Sequence, residues 1–190
     1  VELDAALARS YNQFMATQCG ESGGRIWYVA IVPWRRPEWA VQEIRRVKKL
    51  GSVAGVYARG IEWDRPITHP EHWPIYEEAE RQDLPITVHV GNGSSPMIRE
   101  MLQGVPRPTY ADSQPHVHPL GKGIVSGPYV LYGFHQILAS SLLDEFPKLR
   151  VAFLEAGSDW TPRLVKGLRK GKGAKIDQWL AEKTVYCAAN

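Results

Sequence analysis

The sequence predicts an α/β fold in which short parallel strands are covered by helices. Short apolar, β-branched runs alternate with amphipathic helical runs along most of the chain. The strand runs lack polar alternation, as strands buried on both faces do. No hairpin signal joins one strand to the next, so neighbouring strands are expected to run parallel.

In chain order, LDAALARSYNQFMATQC (3–19) has helical spacing of Leu3, Ala6, Leu7, Phe14 and Met15, and GESGG ends it. RIWYVAIVPW (25–34) is the first strand. Pro37 opens a helix through Leu50, with Val41, Ile44, Val47 and Leu50 on one side and arginines and lysines on the other. Gly51 suits its C-terminal cap. SVAGVYAR (52–59) is a strand, GIEWDRPITH (60–69) a loop and PEHWPIYEEAERQ (70–82) a helix, before the strand ITVHV (86–90). A long connection follows, with a helix expected near 97–102, then a helix over 133–145. RVAFLEAG (150–157), a helix over 162–169 and KTVYCA (183–188) complete the alternation.

The bulk numbers bound the function. At 190 residues, 44% hydrophobic and 23% charged, the chain has the usage of one globular domain with a real core. The net charge of +3 is spread over helices, and the basic run RLVKGLRKGKGAK (163–175) lacks interleaved aromatics. It reads as a solvated helix end, so nucleic acid is not an expected partner. No run of 18 apolar residues points to a membrane, and no signal peptide opens the chain. Cys19 and Cys187 lack ligand spacing and read as ordinary thiols of a cytoplasmic protein.

Helix-covered parallel strands leave two architectures, the open doubly wound sheet and the closed eight-stranded barrel. No GxGxxG or GxxxxGK[ST] follows a strand, which favours the barrel slightly. In both, function collects at the C-terminal ends of strands. The first delivers Trp34, the second Arg59, the third His89 and the fourth Glu155, with Asp159 just beyond. His89 is a metal ligand or a packed core histidine; Glu155 is a ligand, a proton carrier, or a buried partner of Arg59. His116 and His118, between prolines in a glycine-rich loop, read as rim residues that touch substrate. Trp34, Trp63 and Trp160 floor an aromatic pocket or pack in the core. His69 and His72 read as surface residues.

WPIYEEAERQDLPITVHVG and LLDEFPKLRVAFLEAGSDWTPRLVKGLR resemble segments of the amidohydrolase-related family, which includes aminocarboxymuconate semialdehyde and γ-resorcylate decarboxylases. The resemblance covers about residues 11–187. It implies a (β/α)8 TIM barrel with a divalent metal ion, expected to be zinc, at its mouth. His89 takes the place of the family's strand-five ligand, and Glu155 that of a histidine or glutamate on the next strand. Strands three to seven are matched. The first strand, with its metal pair, and the eighth, with its proton-handling aspartate, have no counterpart in these residues. The expected architecture is therefore a partial barrel of about five strands, in one domain lacking its N-terminal and C-terminal barrel strands. The expected function is metal-dependent hydrolysis of a small carboxylated or aromatic substrate, with Arg59, Trp34, His116, His118 and Asp159 contacting it. Non-oxidative decarboxylation, or a catalytically inactive or partner-binding module, are the alternatives. Family members are often dimers, so the resemblance also allows a homo-oligomer.

Overall fold

The structure, a computed structural model, describes residues 2–90, 100, 103, 128–182 and 184–188. The expected helix near 97–102, the loop histidines His116 and His118, and the chain end at Asn190 lie outside the described residues. Five strands form one sheet: β1 (Tyr28–Ala30), β2 (Val53–Ala58), β5 (Ile86–His89), β6 (Val151–Leu154) and β7 (Val185–Cys187). Every pairing is parallel and the order is β1-β2-β5-β6-β7. A doubly wound sheet reverses its order once, at the switch point where ligands bind. Here each new strand adds to the same side, the winding of a barrel wall. The architecture is an arc of a (β/α)8 barrel.

The helices bury the sheet's outer face. In α2 (Pro37–Leu50), Ala40, Ile44 and Val47 are buried, and Gly51, at φ 85°, donates its N–H to Val47 O to close the helix. A 3-10 turn (Pro70–His72) leads into α3 (Trp73–Arg81), where Ile75, Tyr76 and Ala79 are buried. The helix expected over 133–145 is two, α4 (Pro128–Ala139) and α5 (Leu142–Glu145), because the Ser140 hydroxyl takes the Leu142 N–H and the chain turns there. The last helix is longer than expected: α6 runs Thr161–Ala181, with a kink at Lys172 between two glycines. Lys172 and Lys175 both pair with Asp144, which accounts for part of the basic run. From the sheet, Ala30, Val56, Ala58, Ile86, Val88, Val151 and Phe153 meet these helices, each essentially inaccessible. Each fully buried aliphatic or aromatic side chain there contributes about 1.5–3 kcal/mol.

Three expectations are corrected. Helix α1 (Glu2–Gly20) buries Ala8, Asn12, Ala16 and Cys19 rather than its large apolar residues, and Leu3, Leu7 and Phe14 are 61–68% exposed. A buried amide decides the face. Asn12 donates to Ile31 O at 2.7 Å and accepts from Ile31 N–H at 3.0 Å, as a neighbouring strand would, and also donates to Glu43 at 2.8 Å. Arg46 completes the network on Glu43. The loop 60–69 contains a two-stranded antiparallel hairpin, β3 (Ile61–Glu62) and β4 (Arg65–Pro66), which lacks the usual glycine signal. His72 is not on the surface: it is 4% exposed, packs edge-on against Trp34, and its Nδ1–H points at Ile67 O, 3.2 Å away.

Asn12→Ala strands both polar groups of Ile31 and one side of Glu43, so it should cost about 2–3 kcal/mol in urea unfolding. Phe14→Ser should shift stability by no more than about 0.5 kcal/mol. Burial lowers the His72 pKa, so the unfolded chain binds the proton more readily than the folded one. That stability term is present above about pH 6.5 and is lost as pH falls below it. The acid slope should therefore flatten in His72→Gln, read from denaturation midpoints between pH 7 and 5.

Candidate metal and substrate site

Strand periodicity sorts the residues at the barrel mouth. Along β5 and β6, Ile86, Val88, Val151 and Phe153 face the helices, so Thr87, His89, Ala152 and Leu154 face the barrel interior. The register places Tyr57, Thr87, Ala152 and Tyr186 in one row across four strands. His89 pairs with Leu154 in the row above, nearer the mouth. Arg59 follows Ala58, which pairs with Val88, so Arg59 reaches the same row as His89 on the neighbouring strand end. Strands lie about 5 Å apart, which sets the spacing of those two side chains' origins.

Glu155 breaks the periodicity. Its parity would send it outward with Val151 and Phe153, but its backbone is left-handed at φ 58°. That turn aims the carboxylate across the mouth, where Oε2 lies 2.8 Å from His89 Nε2. The left-handed form costs a non-glycine residue about 1–2 kcal/mol. Gly157, also at positive φ, completes the turn. His89 is fixed from its other side, with Nδ1 2.8 Å from Val90 O. A carbonyl only accepts, so Nδ1 is the donor in that contact. The Tyr57 ring lies beside His89, 6.2 Å between centroids. Burial pushes the Tyr57 hydroxyl above its ordinary range.

The donor chemistry suits a divalent cation, with one imidazole nitrogen and one carboxylate converging at strand ends. Among the described residues no group of three or more His, Cys, Asp or Glu gathers, so this pair is what they supply. The remaining expected residues take different positions. Arg59 does not pair with Glu155; its Nη2 donates to Glu62 Oε2 at 2.6 Å and its Nε at 3.2 Å. The Arg59 backbone N–H donates to Glu62 Oε1 at 2.8 Å. Glu62 is 2% exposed; burial pushes its carboxyl up while the Arg59 guanidinium pulls it down. Trp34 is buried, donates its indole N–H to Tyr57 O at 2.8 Å, and packs on His72 and Tyr76. Asp159 is exposed on the turn after Glu155. Trp160 packs on Phe134 and donates to Ala156 O, which braces the Glu155 turn from behind. Sequence reading missed Glu62 and Tyr57. Tyr57 was within reach, because it lies two residues before Arg59 on one strand; Glu62 was hidden in a segment read as loop.

A parallel, sequentially ordered sheet arc with helices on its outer face is part of a (β/α)8 barrel wall, and its C-terminal mouth brings an imidazole and a carboxylate together. The chain belongs to the amidohydrolase family, whose model matches residues 1–183. The γ-resorcylate decarboxylase of Polaromonas sp. is 29% identical over 154 residues, 76% of this chain and 42% of that protein. The Rhodococcus jostii γ-resorcylate decarboxylase is 28% identical over 165 residues, 80% of this chain and 45% of that one. The chain thus spans less than half the length of these curated relatives. Among solved structures, 5-carboxyvanillate decarboxylase of Novosphingobium aromaticivorans, complexed with manganese, superposes with TM-score 0.70 at 19% identity, covering 97% of this chain and 53% of that one.

The strain at Glu155 makes a prediction that separates its two roles. Glu155→Gly should raise stability by about 0.5–1 kcal/mol in urea unfolding, because glycine accepts the left-handed backbone. The same change should free the His89 ring, seen as a shift of its NMR resonances.

Proposed function

We propose that this chain supplies part of the active site of a metal-dependent, non-oxidative decarboxylase acting on an aromatic carboxylate. The observation that carries the reading is the 2.8 Å convergence of His89 and Glu155 at the barrel mouth, reached only through a strained backbone. Its support from kinship is that the curated relatives described above are γ-resorcylate decarboxylases. Hydrolysis, the first expectation from sequence, has less behind it, because those relatives release CO2. The divalent ion is proposed without the zinc assignment: the 5-carboxyvanillate decarboxylase carries manganese.

His89, through Nε2, and Glu155, through Oε2, would hold the ion. When bound, it supplies a Lewis acid for a substrate oxygen. The Val90 carbonyl keeps Nδ1 protonated, which leaves Nε2 as the ligating nitrogen. Tyr57 offers a ring face beside His89. Arg59, in the same row, is placed to orient an anionic group, and its pairing with Glu62 holds it there. In the reaction the bond from ring carbon to carboxylate breaks, CO2 departs, and the ring carbon takes a proton in its place. An aspartate of the kind expected on the barrel's last strand would handle that proton.

The test is metal content and CO2 release from γ-resorcylate, measured on the purified protein. About one divalent ion per site is expected, lost in His89→Ala and bound roughly 10–100-fold more weakly in Glu155→Gln. Metal content unchanged in His89→Ala would overturn the site. Ester or amide hydrolysis without CO2 release would return the reading to hydrolysis.

A further inference from the structure

Helices α2 and α3 pack side by side on the outer wall, and each runs from the mouth toward the opposite end of the sheet. Their last turns bring Arg45, Lys48, Lys49, Arg81 and Gln82 around one cleft of about 540 Å³, at the end of the wall away from His89. Dipole complementation accounts for Lys48, Lys49 and Arg81 singly, since each sits in a helix's last turn. It gives no reason for a buried carboxylate to join Arg45 to Arg81 across the gap between helices.

That carboxylate is Glu78, with 3% of its side chain accessible. Its Oε2 accepts from Arg45 Nη2 at 3.0 Å and from Arg81 Nε at 3.0 Å. Its Oε1 accepts from Arg81 Nη2, and from Gln82 Nε2 at 2.8 Å. Burial pushes the Glu78 carboxyl up, but the hydrogen bonds from Arg45, Arg81 and Gln82 outweigh it and hold it below its ordinary range. Glu78 thus fixes two guanidinium groups from behind, and ordering that a ligand would otherwise impose is already in place.

Each arginine keeps free donors. Arg45 Nε and Nη1 and Arg81 Nη1 make no hydrogen bond among the described residues. Lys48 and Lys49 have no carboxylate oxygen within 4.0 Å among them. The helix ends oppose an anion, because each C-terminus carries about half a negative charge. Four cations against Glu78 and two such ends still leave about two positive charges. That matches the dianion of a phosphate monoester at neutral pH, whose oxygens suit the planar arginine forks. No aromatic or aliphatic residue is among those that line the cleft, so it offers neither a platform for a stacked base nor an anchor in a membrane. Toward the mouth the groove continues past Glu38 and Glu77, whose charges confine an anion to the basic end.

We propose that the cleft between the last turns of α2 and α3 binds a soluble phosphate monoester. Arg45 and Arg81 contact its oxygens, Lys48 and Lys49 add charge at the rim, and Glu78 is a positioning residue that acts through the arginines. The proposal uses no residue of the mouth and stands independently of the decarboxylase reading.

Isothermal titration calorimetry with glycerol 3-phosphate and acetate tests this, at about 0.1 M salt, where screening reaches about 10 Å. One saturable site is expected, with glycerol 3-phosphate bound at least about tenfold more tightly than acetate. Arg45→Lys/Arg81→Lys keeps every charge and a partner for Glu78 but removes the forks. Affinity for glycerol 3-phosphate should then fall about tenfold, whereas a diffuse field would leave it unchanged. Lys48→Met/Lys49→Met, at exposed positions, should weaken it several-fold with the melting temperature held. Lys166→Met/Lys170→Met, which removes as much charge from exposed positions of α6, should leave it unchanged. Saturating glycerol 3-phosphate should also raise the wild-type melting temperature. No saturable binding, equal affinity for the two probes, or an affinity kept in Arg45→Lys/Arg81→Lys would overturn the proposal. So would retention on phosphatidic acid vesicles without binding of glycerol 3-phosphate.

Discussion

The site depends on breaking the period-two rule of a β-strand once. A strand sends alternate side chains to opposite faces, and the outer face here is committed to the helices by Val151, Phe153, Ile86 and Val88. A regular continuation of β6 would bury Glu155 among them, where an unpaired carboxylate is costly. The left-handed turn at Glu155 removes that conflict and replaces it with a polar contact, because the same rotation brings Oε2 to the His89 ring. The cost of about 1–2 kcal/mol is borne by a packed surround in which Trp160 donates to Ala156 O and packs edge-to-face with Phe134.

Much of the fold was legible because the sheet is buried on one face by regular helices. Five strands and the helices between them follow from apolar runs and their punctuation, and the sequential strand order matches the barrel expectation. The misreadings have a common physical source, in that a polar contact outweighed the apolar pattern. Asn12 rotates α1 away from its large hydrophobic residues because an amide that satisfies both groups of Ile31 and bonds Glu43 is hard to replace. His72 is buried because Ile67 O accepts its ring proton and Trp34 packs against it. The partners of Asn12 lie 19 and 31 residues away, so no local window contains that signal; Ile67 is near His72 in sequence, but Trp34, which covers the ring, is not.

The candidate site divides the same way. His89 and Glu155 were legible, since each ends an apolar strand, and the structure brings them together. Arg59 was legible as a strand-end cation, but its partner was not Glu155. Glu62, three residues on, lay in a segment without glycine at its turn, and a hairpin with Trp63 in a left-handed position cannot be read from turn preferences. The residue that conceals the hairpin from sequence reasoning is the one that carries Arg35.

Strain at the rim therefore occurs on both sides of the mouth. Glu155 and Trp63 are two of the four described non-glycine residues with positive φ, and both follow the last residue of a strand. The other two, Ser52 and Asp83, lie on the opposite side of the sheet, where the helices return to the strands. At those returns a small polar residue turns the chain at modest cost, because Asp and Ser tolerate such positions better than larger side chains do. At the mouth, a glutamate and a tryptophan are held where glycine would be cheaper, and each carries a side chain that glycine lacks. That asymmetry between the two ends of the arc is what a barrel with a working mouth and a structural base would show.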